Sequence, residues 1–334
     1  MQGKTTNGKQ RSASIPRWIG RIILGAFGLV LCLAVILFVR ESIARGKYHA
    51  EYPAPGEMVS LRTHAIHLHC VGSGSPTVVF EADLDQYGSL SWSTLLEDVG
   101  EFTRACSYDR AGILWSEAGP LPRDGETIAN ELAVALEAAG ERGPYLLVGH
   151  AFGGVYVRIF AGQYPEDVYG MVLVDSSHPD MFTHFAEYGL TVNVPDPRIR
   201  PLILLLSHLG LPGRDQGNIY DLPSGIYDPV QAYLPESSMA WFDETVAASD
   251  TLAQAGEVTD FGDMPLVVLA SARSSHEHQA AWVELQQELA DLSSNSDFRA
   301  LDTAGHYLYI DSPEEVIAAI RDVIENGEDA TALA

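Results

Sequence analysis

Apolar and polar positions along this 334-residue chain change their period several times, and each change marks an element. Residues Ile22 to Val39 (IILGAFGLVLCLAVILFV) are apolar and uncharged throughout. A run of 18 such residues approaches the span of a hydrocarbon core and predicts one transmembrane helix. From residue 58 onward, short β-rich runs alternate with helical spacing, which predicts an α/β sheet rather than a bundle or sandwich. The strands fall at 58–62, 65–71, 76–81, 103–108, 144–149, 168–175, 265–271 and 297–302. Between them, Ile128, Leu132, Leu136 and Ala139 share one helix face before Gly140 supplies a stop. A second helix carries Trp282, Leu285, Leu289 and Leu292. The last opens with Ser312-Pro313-Glu314-Glu315 and presents Val316, Ile317, Ile320, Val323 and Ile324 to the core.

About 90 residues separate Asp175 from Pro265 without a comparable β-run, which is too long for a plain loop. The stretch holds an apolar segment (Leu202 to Leu211), a Pro/Gly/Asp-rich passage, and a helical pattern through Met239, Trp241, Phe242 and Val246. It predicts an inserted helical lid. The expected organisation is a basic tail (1–21), a transmembrane anchor (22–39), a linker (40–56), a core (57–176 with 263–327) and the lid (177–262).

Charge sharpens this picture. The first 47 residues hold eight Lys/Arg and one acid, whereas residues 48–334 hold 12 Arg, no Lys and 44 acids, a formal charge of −32. So acidic a body excludes nucleic acid as a natural partner. The basic residues before the apolar run place the N-terminus in the cytoplasm and the large domain outside. A cleavable signal with Ser42-Ile43-Ala44 as its processing site is the competing reading. The length of the run, beyond a 7–15-residue signal core, favours a span. Cys70 and Cys106 lie in predicted strands that could be close enough to bond, although two free buried thiols are the simpler expectation for three cysteines in all.

Candidate chemistry begins where strand 144–149 runs into His150-Ala151-Phe152-Gly153-Gly154 and then a helical pattern. Strand, Gly-x-x-x-Gly turn and helix form a nucleophile elbow, in which small flanking residues admit a strained central one. That central residue is Ala151, whose methyl group cannot attack a carbonyl. Asp175 ends the next strand, and His306 follows the final strand before the last helix. The order elbow, acid, histidine suits a Ser-His-Asp hydrolase. Glu277, in ARSSHEHQ, is the rival acid. His276 and His278 beside it are too few for a metal site, and His64, His67 and His69 read as packing or edge residues. His150 reads as a hydrogen-bonded core residue.

The segments HLHCVGSGSPTVVFEA, ACSYDRAG, GPYLLVGHAFGG, YPEDVYGMVLVDSSHPD and AGHYLYIDSPEEV together resemble the α/β-hydrolase superfamily, most closely its membrane-anchored bacterial members, over residues 57–325. The resemblance implies an α/β-hydrolase fold: a mostly parallel eight-stranded sheet with helices on both faces and a lid after strand 6. It also implies carboxylester hydrolysis without metal or organic cofactor, on a small apolar ester or acyl ligand. Ala151 would stand at the nucleophile position, with His306 as base and Asp175 as its orienting acid. The N–H groups of Phe152 and Leu84 would form the oxyanion hole. The departures are Ala151 itself, Asp83-Leu84-Asp85 where relatives tend to carry Gly-Leu-Gly, and Leu114 where they tend to carry Gly. Loss of a serine nucleophile costs about a millionfold in turnover, roughly 8 kcal/mol of barrier. The chain is therefore expected to be inactive as written, a natural pseudoenzyme rather than a single engineered substitution. Two alternatives stay open: a membrane-tethered ligand-binding or interaction protein, and slow hydrolysis by water that His306 activates.

Overall fold

The computed structural model describes residues 17–187, 189, 193–211, 223–272, 278–302 and 304–332. Eight strands form one sheet: β1 (Glu57–Ser60), β2 (Ala65–Val71), β3 (Thr77–Glu81), β4 (Ala105–Tyr108), β5 (Tyr145–His150), β6 (Val168–Val174), β7 (Leu266–Ser271) and β8 (Ser296–Leu301). Their order is β1-β2-β4-β3-β5-β6-β7-β8. β1 and β2 pair antiparallel, β2 runs antiparallel to β4, and every other pairing is parallel.

Side-chain alternation divides the sheet between two layers. Val78, Phe80, Leu146, Val148, Val172 and Val174 pack on one face with α2 (Ser93–Gly100) and α10 (Pro313–Ala332). Val79, Leu147, Met171 and Leu173 pack on the other with α3 (Gly125–Ala139) and α4 (Phe152–Gln163). Strands covered on both sides read as near-continuous apolar runs, as β5 and β6 do. Asp124 caps α3 by accepting from Thr127 N, and Gly140 closes it at φ +79°. α8 (His278–Ala290) covers β7 and β8, and the short α9 (Leu308–Asp311) precedes α10.

Two expectations are corrected. Cys70 and Cys106 are bonded, not free: they sit directly opposite each other across the β2–β4 pair. Residues 40–51, expected as linker, continue the apolar helix, so α1 runs unbroken from Arg17 to Glu51. An i,i+4 pair between Glu41 and Arg45 supports that extension, and Tyr48 and Tyr52 pack against an aromatic cluster with Trp115 and Tyr233.

The segment between β6 and β7, expected as a lid, contains α5 (Met181–Glu187), α6 (Arg200–His208) and α7 (Ser224–Gly256). α7 starts well before the predicted helical pattern and passes through Pro229 and Pro235. An interior proline costs about 3 kcal/mol. Burial of Ile226, Val230, Tyr233 and Leu234 offsets this, each large apolar side chain contributing about 1.5–3 kcal/mol.

Candidate active site

Parallel strands deliver their carboxyl ends to one edge, so the residues after β3, β5, β6 and β8 meet there. Ala151 follows β5 at φ +48° and ψ −118°, a backbone region that side chains rarely adopt. Its N–H donates to Val174 O at 3.1 Å, and its carbonyl accepts from Ser177 N at 2.8 Å. The bend needs glycine on both sides: a Cβ on Gly149 would come 2.7 Å from the Gly153 backbone, and one on Gly153 would come 2.5 Å from Glu81 O. Asp175 follows β6 and is itself at φ +44°.

Asp175 and His306 are paired, with Nδ1 of the imidazole 2.6 Å from Oδ2 of the carboxylate. The carboxylate is nearly fully buried, whereas the imidazole side chain retains 42% exposure. Oδ1 of Asp175 accepts from Ser271 N at 2.9 Å and from Trp282 Nε1 at 2.7 Å. In the sequence, Ser271 was legible only as a strand residue and Trp282 only as a helix-face residue. Burial lowers the affinity of His306 for a proton. The hydrogen bond and charge of Asp175, helped by Asp83, outweigh burial and raise the pKa above its usual 6.5. His150 differs: burial and the neighbouring His306 push it down to about 4. Its neutral ring carries the proton on Nε2 and donates to His306 O at 2.9 Å, which ties the histidine loop to the residue before the bend. Glu277, the rival acid, and His276 lie outside the described residues.

Phe152 N and Leu84 N, the two expected oxyanion donors, do converge on one point. That point is occupied. Oδ1 of Asp83 accepts from Phe152 N at 2.9 Å and from Leu84 N at 2.7 Å. The carboxylate thus fills the space between the two N–H groups. The signal in the sequence was the residue type alone, since Asp side chains readily bond the backbone of their own turn.

An ion cluster absent from the sequence reading holds this loop. Arg110, after β4, is buried and donates through Nη1 to Ala82 O at 2.8 Å and through Nη2 to Asp83 O at 2.6 Å. The same guanidinium pairs with Glu81 at 2.7 Å and with Glu244 of α7 at 3.0 Å, and lies over the Tyr156 ring. Burial raises Glu81 to about 7 despite Arg110. Leu114 sits at φ +43° and donates its N–H to Ser237 Oγ of α7 at 2.9 Å.

A cavity of about 210 Å³ adjoins the occupied point, walled by Asp83, Leu84, Asp85, Leu90, Ile226 and Tyr307 among others. It is smaller than the 300–1,000 Å³ usual for drug-sized ligands. Burial and the charge of Asp83 raise Asp85, on its wall, to about 7. His67, in β2, is buried against Asp109, which follows β4, at 2.8 Å.

A model of the "Alpha/beta hydrolase family" matches residues 65–319. Uncharacterized protein YqjL of Bacillus subtilis is 27% identical over 261 residues, 76% of this chain and 86% of that protein. Two further relatives extend well beyond the match, which spans 58% and 61% of their lengths. A candidate epoxide hydrolase from Pseudomonas aeruginosa superposes with a TM-score of 0.63 at 17% identity, over 82% of this chain and 96% of its own. A thermophilic esterase from Thermogutta terrifontis gives 0.57 at 18% identity, over 81% and 97%. At such identities the likeness carries the fold and leaves the substrate open.

Proposed function

This chain belongs to the alpha/beta hydrolase family, and from that premise we propose that it is a membrane-anchored, carboxylester-hydrolase-type protein with its nucleophile replaced. It binds a small apolar ester or acyl ligand without forming an acyl-enzyme. The observation that carries this reading is Ala151 at φ +48° in the strand-to-helix bend, beside an intact His306–Asp175 pair.

In this reading Asp175 fixes the imidazole by accepting from Nδ1, which leaves Nε2 to serve as base. Ala151 offers it no proton to take. The Phe152 and Leu84 N–H groups, which would stabilise a tetrahedral oxyanion, are already satisfied by Asp83. The chemistry calls on no metal or organic cofactor. α1 is long and apolar enough to cross a membrane. A cytoplasmic N-terminus with the body outside is supported by the basic tail and by the Cys70–Cys106 bond, which suits an oxidising compartment. The candidate epoxide hydrolase chemistry of one structural neighbour needs Asp in the bend, and Ala151 lends it no support.

The test is labelling by a serine-reactive fluorophosphonate. Ala151→Ser, alone or with Asp83→Gly, is expected to label, and the label is expected to disappear when His306→Ala is added. Two folded revertants that both stay unlabelled would overturn the triad assignment. The second reading, a tethered binding protein, draws on the carboxylate seated in the oxyanion position. It expects thermal stabilisation by a short-chain ester with no product formed.

A further inference from the structure

The membrane-proximal end of α1 and the lid are packed together, and that contact locates the lid relative to the apolar run. Glu41, two residues beyond Val39, is buried. It lies so close to Gly210 that a Cβ there would fall 2.4 Å from its carboxylate. Four residues further on, Arg45 donates to Ser207 O at 3.0 Å at the end of α6 and reaches Glu236 of α7 at 3.2 Å. His49 then stacks on Tyr233, with ring centroids 4.7 Å apart. A helix rises 1.5 Å per residue, so Glu41 lies about 3 Å and Arg45 about 9 Å beyond the end of the apolar run, and the Arg45 side chain bends back to Glu41 at 3.1 Å, which brings its Ser207 contact toward the level of Glu41. The headgroup layer on each side of a hydrocarbon core is about 5–8 Å deep.

The surface of that part of the lid is apolar. Outside α1, more than half of the large apolar side chains exposed among the described residues fall in one stretch: Val194, Ile199, Leu202, Leu204, Leu205 and Leu211. This stretch contains one acid, Asp196, and two arginines, on a body whose formal charge is −32. Arg200 is held by Asp243 through two bonds of 2.7 and 2.8 Å, which fixes α6 on α7 and leaves its leucines outward. Exposed apolar side chains gathered in one patch mark a surface with a partner.

We infer that α6 lies in the headgroup layer of the membrane that α1 crosses, its leucines entering the lipid, so that the lid is a second, monotopic membrane contact. This rests on α1 being a membrane span. Binding there follows the apolar area it buries, as for other amphipathic anchors. The acidic body stays in water while its acid-poor lid edge meets the lipid.

The test uses the full chain in phosphatidylcholine vesicles with or without spin-labelled lipid as quencher, and one environment-sensitive fluorophore per protein. The fluorophore is placed on native Cys32 within α1, on Leu205→Cys with Cys32→Ala, or on Ser296→Cys with Cys32→Ala. Ser296 is exposed at the amino end of β8, the strand at the opposite edge of the sheet from β1. Blue-shifted, quenched emission at Cys32 and Leu205 with none at Ser296 is the expected result. Quenching at Cys32 with Leu205 behaving like Ser296 would overturn the lid contact and leave the anchor standing. Absence of quenching at all three positions would overturn the anchor reading and the lid contact with it.

Discussion

The two halves of the candidate site differ in what occupies them. On the histidine side, a buried carboxylate has donors on both oxygens: His306, Ser271 and Trp282. On the bend side, the methyl group of Ala151 stands at the strand-to-helix turn and Asp83 fills the space between two converging N–H groups. Both sides nonetheless carry a non-glycine residue at positive φ, Ala151 and Asp175. At Ala151 the bend depends on the close approach that Gly149 and Gly153 allow. An elbow in the fold is evidence of family; only the groups mounted on it are evidence of chemistry.

The largest expected effect breaks the asymmetry between the halves. Ala151→Ser with Asp83→Gly is expected to hydrolyse p-nitrophenyl acetate at a rate the parent lacks, and to exceed Ala151→Ser alone by about 100-fold or more, since one oxyanion donor is worth about 10²–10³ in turnover. Equal rates for the single and double variants would mean that Asp83 leaves the donors on its own when substrate arrives.

Next in size is Arg110→Met, which removes the support of the bend-side loop and strands Glu81 and Glu244. Breaking a buried pair costs about 3–5 kcal/mol, to be read from denaturant midpoints of the detergent-solubilised chain. The pH dependence has a definite sign. Glu81 is raised from 4.5 to about 7, so the unfolded chain ionises first and its contribution to stability falls as pH rises between those values. The loss in Arg110→Met is therefore expected to be smaller at pH 5 than at pH 8.

Asp175→Asn acts on the histidine side. With the carboxylate gone, burial dominates, and the His306 pKa is expected to drop from above 6.5, as read by proton NMR of the ring. In the parent, the raised value means that the pairing stabilises the fold fully below 6.5 and less as pH rises through the folded pKa. A His306 titration unmoved by the substitution would dissolve the pairing. The smallest effect is expected at Leu114→Gly. Relief of the positive φ is worth about 1–2 kcal/mol, against about 1.5–3 kcal/mol for the buried side chain. A stability loss of roughly 1 kcal/mol, read from the denaturant midpoint, follows from those two magnitudes, and a gain would show that strain at this position outweighs packing.

The strands were legible because alternation and apolar runs report burial directly: all eight appear within about two residues of the predicted limits. Asp175 and His306 were legible because each terminates or follows a strand whose carboxyl end faces the same edge. What stayed hidden depends on register or rotamer. The Cys70–Cys106 bond requires knowing that β2 and β4 pair with those two residues opposite, 36 residues apart in sequence. The inward turn of Asp83 is a side-chain choice set by two N–H groups, one of which lies 69 residues away. The early start of α7 reflects tertiary burial overriding two prolines, which no local propensity reveals.

Arg110 joins β3, the carbonyls of Ala82 and Asp83, and the lid through Glu244, all on one guanidinium. An outward swing of the whole segment between β6 and β7 would leave at least one of these charges unanswered in a buried site, so the Glu244 contact pins α7 to the core. In the reading proposed above, a ligand would pass by breathing at the rim of the segment between β6 and β7, with the middle of α7 as the fixed side of the doorway.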